Sequence, residues 1–273
     1  MLLSRKFVAI LTVLLISLLA VGFAPIASAQ TSAPTASSTV SNNVDPADQG
    51  WHVDIAPYLW FPAINGTVGA RDYQSSVHVG ASDVLSNFNF GLMGAAEFRY
   101  NRIVMPLDFM WVRLEDNKSI PLGENLGLAE SIHTKLNEDL FTPKVGYRLV
   151  STPKFKMDAL IGIRYWHYGA TLTLQPSELG NSRYAAINWV DAVQGARFQA
   201  MIAPKLWLTI AGDAGAGGSK LDYQVVGLLG YQLKRVTLQG GWRYLVVHKA
   251  PGENAYVDAA MTGVVLGAVI PIK

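Results

Sequence analysis

The chain has 273 residues and no cysteine; half of it is hydrophobic and only 15% is charged. The absence of thiols excludes disulfides and thiolate-bound metals. With Arg5 and Lys6 set aside, basic residues equal the 20 acidic ones, which gives no electrostatic basis for a nucleic-acid partner.

The N-terminus runs Met-Leu-Leu-Ser-Arg-Lys, then an apolar stretch from Phe7 to Val21, then Ala27-Ser28-Ala29. A basic start, an apolar middle and small residues at the cut predict a secretory signal peptide over 1–29. Gly22 and Pro25 argue against a retained helical anchor. Residues 30–50, rich in Ser, Thr, Ala, Pro and Asn, read as a flexible periplasmic leader. Beyond them no apolar run approaches the ~20 residues of a transmembrane helix, so a membrane crossing has to use strands.

Trp51 to Phe61 alternates, with Trp51, Val53, Ile55 and Leu59 on one face and His52, Asp54, Tyr58 and Trp60 on the other. Pro57 cannot donate a ladder bond and predicts a seam or bulge. Residues 62–87 read as a long outside loop that caps or enters the fold. Within it Thr67–Tyr73 and Val77–Val79 form a minor hairpin, and Ser82 to Leu85 a short helical turn. Phe88 to Leu114 is a hairpin about Asn101-Arg102. Its apolar face carries Leu92, Phe98, Tyr100, Ile103, Leu107 and Trp111; Met93, Glu97, Arg99, Val104, Asp108 and Met110 lie opposite. An apolar outside with charges inside suits a barrel in lipid. On that reading Leu107→Arg is harmful and Met110→Arg, toward the lumen, is milder.

Further strands are predicted over 131–150, 156–174, 189–201, 205–213, 221–231, 236–247 and 256–272. The connections alternate short and long, as periplasmic turns and outside loops do. With both termini periplasmic the strand number is even. Counting 62–87 as one loop gives an all-β, transmembrane, antiparallel up-and-down β-barrel of about ten strands over 51–273, with eight or twelve as alternatives.

The export signal, the Ala56-Pro57-Tyr58-Leu59-Trp60 opening and the steps Gly146-Tyr147-Arg148, Gly162-Ile163-Arg164, Gly230-Tyr231 and Gly241-Trp242-Arg243-Tyr244 resemble the small outer-membrane β-barrel proteins of Gram-negative bacteria. The resemblance implies an outer-membrane location. It also implies contact with outer-membrane lipid, and handling by periplasmic chaperones and the barrel-assembly machinery. Structural barrels, narrow channels, adhesins and a few hydrolases share that pattern.

Projected inward, the strands supply Glu97, Asp108, Asp158, Asp191, Asp213 and Asp258 against Arg99, Lys144, Arg148, Arg164, Arg197 and Arg243. They make either a constriction passing small polar solutes or an ion-pair network that fills a narrow lumen; we favour the second, because small barrels are filled by side chains. The alternative to a structural or passage role is a lipid-modifying hydrolase at the outer rim, built from His167, Ser177, Ser182 and Glu178. Neither a Gly-x-Ser-x-Gly nor a His-Glu-x-x-His element supports it. Trp166-His167-Tyr168 reads as interfacial aromatic girdle, the other histidines (His52, His78, His133, His248) as solvated. Gly215-Ala216-Gly217-Gly218 is a turn without the Lys-Ser/Thr of a phosphate loop. The sequence predicts no cofactor and no metal.

Overall fold

In the computed structural model the described residues are 45–70, 73–119, 131–175, 182–249 and 256–272. The predicted signal peptide and most of the predicted leader lie outside them. Ten antiparallel strands close on themselves in sequence order: β1 (Trp51–Ala70), β3 (Phe88–Tyr100), β4 (Ile103–Ser119), β5 (Ser131–Ser151), β6 (Phe155–Gln175), β7 (Ser182–Ala203), β8 (Leu206–Gly217), β9 (Leu221–Gln232), β10 (Thr237–Lys249) and β11 (Tyr256–Pro271). Pairing of β1 with β11, from Asp54–Pro271 to Gly69–Tyr256, closes the barrel. Closure gives each of these ten strands a paired neighbour on both sides, which an open sheet in lipid does not achieve.

The eleventh strand, β2 (Tyr73–Val79), lies outside the cycle and pairs with β1 over Ile64 to Ala70. The minor hairpin is present with longer arms, its first arm being the continuation of β1 itself, and the short helical turn is a helix, α1 (Ala81–Ser86), that leads into β3. Asn65-Gly66 does not turn the chain because β1 is held there on both edges, by β11 and by β2. The β1–β3 ladder ends at Pro57–Gly94, the seam that Pro57 predicted. Past it, Trp60 N–H points to Met93 Sδ at 3.3 Å.

At one end the strands meet in tight turns. Asn101, at φ 52°, takes the left-handed conformation that asparagine tolerates, and its Oδ1 accepts from Gly50 N–H at 2.9 Å. The other end carries the longer connections. Leader residues Pro46–Asp48 form a 3-10 turn at the tight-turn end, with Asp48 1% exposed. The flexible reading therefore fails at its last residues, because Asp48 finds cations to bind.

Strand parity sorts the side chains. Outward positions include Ile55, Leu92, Phe98, Val145, Ile161, Ile163, Leu229 and Leu266, all exposed. Their inward neighbours Met93, Val104, Arg148, Leu160, Arg164 and Val265 are buried. Outward polar pairs appear toward the long-loop end: Arg113 Nε donates to Asn137 Oδ1 at 3.0 Å, and Lys135 pairs with Glu115 at 3.2 Å.

Candidate functional site

The inward surface divides along the barrel axis. The long-loop half is apolar and full. Trp60, Met93, Met110, Leu140, Trp166, Trp189, Leu245, Val247 and Met261 belong to one buried cluster drawn from β1, β3–β7, β10 and β11. Trp166, Tyr168 and Trp189 stack with centroids 5.7–5.8 Å apart. From α1, buried Val84 shares a small apolar pocket with Trp60, Met93, Met110 and Met261, so the helix packs onto one side of the apolar layer.

The tight-turn half is charged, and its ion pairs form three clusters. In the first, Asp48 receives Lys156 at 2.7 Å, Arg148 at 2.9 Å and Arg99 at 3.3 Å. Arg99 also holds Asp54 (2.8 Å) and Glu97 (3.1 Å); Arg197 joins Glu97 to Asp158 (2.6 Å), which binds Arg148 at 2.8 Å. In the second, Asp213 binds Lys144 and, at 2.6 Å, Arg164, which also pairs with Asp222. Trp166 Nε1 donates to Asp222 at 2.9 Å and Gln224 Nε2 to Asp213 at 2.7 Å. In the third, Arg243 binds Asp108 at 2.9 Å beside Tyr58, whose hydroxyl donates to Asp108 at 2.7 Å; its guanidinium lies 4.8 Å above the Trp60 ring.

Each cluster balances: four cations with four carboxylates, two with two, one with one. Buried charges are tolerable only when paired in this way. Close strand approach helps: a Cβ at Gly195 would stand 2.6 Å from Asp213 Cβ, so glycine there lets Asp213 lie flat against β7. Asp48 titrates outside the strands. Burial alone would raise its pKa, but hydrogen bonds from Lys156 and Ser151 and the charge of Arg148 outweigh it and hold the carboxyl at about 2.

Of the sequence-predicted lumen residues, Glu97, Arg99, Asp108, Lys144, Arg148, Asp158, Arg164, Arg197, Asp213 and Arg243 come together in these clusters. Asp191 does not join them. It is buried, accepting from Ser219 N (2.7 Å), Ser219 Oγ (2.8 Å) and Trp189 Nε1 (3.0 Å), and so caps the β8–β9 turn. Asp258 lies on the opposite parity from inward Val257 and Ala259, is 43% exposed, and pairs with His248 Nδ1 at 2.8 Å. Asp48, Asp54, Lys156 and Asp222 were missed. Parity already placed Asp54 opposite Ile55, whereas Asp222 stands beside a glycine turn and Asp48 beyond the strands.

The aromatic girdle reading of Trp166 and Tyr168 is also corrected: both face the lumen, Trp166 at 0% exposure and Tyr168 donating to Glu138 at 2.8 Å. His167, one residue between, falls on the outer face. Ser177 and Glu178 lie outside the described residues. Among the described residues no group of His, Asp and Glu is arranged to hold a metal.

No family model matches the chain, and no curated protein matches it. Among solved structures it is similar to Ail, the attachment invasion locus protein of Yersinia pestis (12% identity, 82% of this chain and 99% of that one, TM-score 0.38). It is similar to the translocator domain of autotransporter NalP from Neisseria meningitidis (12%, 85% and 91%, 0.41) and to Neisserial surface protein A (12%, 81% and 97%, 0.32). These are outer-membrane β-barrels. The likeness is one of fold and assigns no role.

Proposed function

We propose that the protein is an outer-membrane β-barrel with a structural role, held by an apolar exterior and closed to solutes by its own side chains. The tight turns face the periplasm and the long connections face outward, the asymmetry usual in such barrels. Its partners on this reading are the surrounding lipid and the periplasmic chaperones and assembly machinery that deliver an exported barrel, and it carries out no chemistry.

The observation that supports closure is the filled half of the lumen. Trp60, Met110, Leu140, Trp166, Leu245 and Met261 point inward from different walls and are at most 2% exposed. Side chains packed to that degree exclude water where they meet. The three clusters below it are each neutral, and outside them buried Asp191 and half-buried Glu138 are held by neutral donors. Purified protein in a planar bilayer should give no stepwise conductance; regular steps of one size would overturn closure. Recovery from the soluble periplasm without detergent would overturn the membrane assignment.

A further inference from the structure

Below the apolar layer, toward the tight-turn end, the lumen holds a cavity of about 490 Å³. Its walls differ in chemistry. The side from β3 to β7 carries Glu97, Arg99, Lys144 and Arg197, each already matched by opposite charge. The side from β8 to β10 carries Trp207, Thr209, Gln224, Gln232, Thr237 and Gln239, and its one charge is Arg243, paired with Asp108.

Three cavity-lining residues, Arg99, Gln224 and Arg243, carry a buried side-chain atom without a hydrogen-bond partner, and of these Arg99 Nε stands 3.1 Å from Glu97 as an ion pair. Gln224 is 6% exposed; its Nε2 is used by Asp213, but its Oε1 meets no donor among the described residues. Arg243 is 4% exposed and its Nε meets no acceptor. An acceptor and a donor left unmade inside a protein are unfavourable; both atoms are themselves sealed from solvent, so they mark the polar border behind the cavity wall rather than its reachable surface.

The wall also has a shape. One register row reads Trp207, Gly230, Gln239, Gly267 across β8 to β11. Bare backbone therefore separates the indole from the amide. A Cβ at Gly230 would stand 3.1 Å from Thr237 Cγ2 and 3.5 Å from Gln239 Cγ, so the glycine is what lets these two side chains lie against the wall.

We propose that this cavity binds a small neutral saccharide, entering from the tight-turn end. Neutrality follows from the clusters, since a charged guest would leave a surplus in a low-dielectric lumen. Hydroxyl groups suit primary amides and threonines, which each donate and accept. A sugar ring offers an apolar C–H face to Trp207, as amphipathic aromatic side chains favour. The volume lies within the range of small-molecule sites. The inference does not rest on the structural role: binding is read on purified protein, and conductance is a separate measurement.

The test is calorimetric titration with maltose and trehalose in an amine-oxide detergent, which has no sugar headgroup to compete. Saturable heat is expected with one of the two, and none with glucosamine or glucose 6-phosphate. Trp207→Ala and Gln239→Ala should each weaken binding about tenfold or more, the loss of one good contact, while Trp207→Phe keeps most of it. A heat-modifiable band on a gel reports folding. Should Trp207→Ala fail to fold, Gln239→Ala carries the test, because it removes only a half-buried amide. Absence of saturable heat with both sugars would overturn the proposal, as would binding indifferent to Gln239→Ala or tighter binding of the charged sugars.

Discussion

Asp48 sits where three cations meet, Arg99, Arg148 and Lys156, with the Ser151 hydroxyl donating from 2.7 Å. Arg148 is wholly buried and shares itself between Asp48 and Asp158. Removing Asp48 leaves it one counterion short, and unpaired buried charge is strongly destabilising. The folded pKa of about 2 lies below the ordinary 3.8. A depressed carboxyl contributes stability that is complete above its unfolded pKa and is lost as pH falls through the folded one. The protonation difference is worth about 2 kcal/mol. Asp48→Asn should therefore lower the urea midpoint by a constant amount at pH 5–7, and the gap from wild type should shrink toward about pH 2. A gap independent of pH would contradict this account. No feature of the sequence marked Asp48, because it belongs to no alternating run; its role depends on which cations the strands bring to one end of the lumen.

Individual strands were legible where a period of two was long. In β3 and β4, every described outward side chain fell where alternation put it, and Asn101-Arg102 turned as the polar break required. Alternation reports the face of a strand but not the height of a residue along the barrel, which depends on how ten strands are staggered. That distinction decides the fate of Met110. It faces inward as expected, yet it is 2% exposed within the apolar cluster, beside Trp60, Met93 and Leu140. Met110→Arg is therefore not the mild change that parity alone suggested. It places a charge in the apolar cluster, where the carboxylate lining the same pocket, Glu138, is already taken by the Tyr168 hydroxyl, at a penalty of several kcal/mol. Folding yields should fall further for Met110→Arg than for Leu107→Arg, whose side chain reaches outward; the reverse order would show that the long-loop half is hydrated. Asp258 teaches the same lesson from the other side: a short misjudged register in β11 moved it from lumen to rim.

At the scale of the whole barrel, the outer faces of β6 and β9 are banded. On β6, Phe155 and Tyr165 bracket Ala159, Ile161 and Ile163, and the interval spans the roughly 9–11 residues a tilted transmembrane strand takes. On β9, Tyr231 and Tyr223 bracket Val225, Gly227 and Leu229, and Tyr223 lies 6.0 Å from Tyr244 of β10. Aromatic residues at two levels with aliphatic ones between are the pattern of headgroup regions flanking hydrocarbon. Ile161, 62% exposed, stands near the middle of the band. Leu221, 41% exposed, begins β9 beyond Tyr223 and pairs in register with His248. Arginine on a lipid face destabilises by about 2–4 kcal/mol at the midplane and about 0–1 near the interface. Ile161→Arg should thus lower the denaturation midpoint of protein folded in lipid vesicles, while Leu221→Arg leaves it nearly unchanged. Both sites are exposed and outward, so a water-soluble barrel would accept arginine at either with equal ease. Equal midpoints for the two variants would remove the bilayer from this account, whatever fills the lumen.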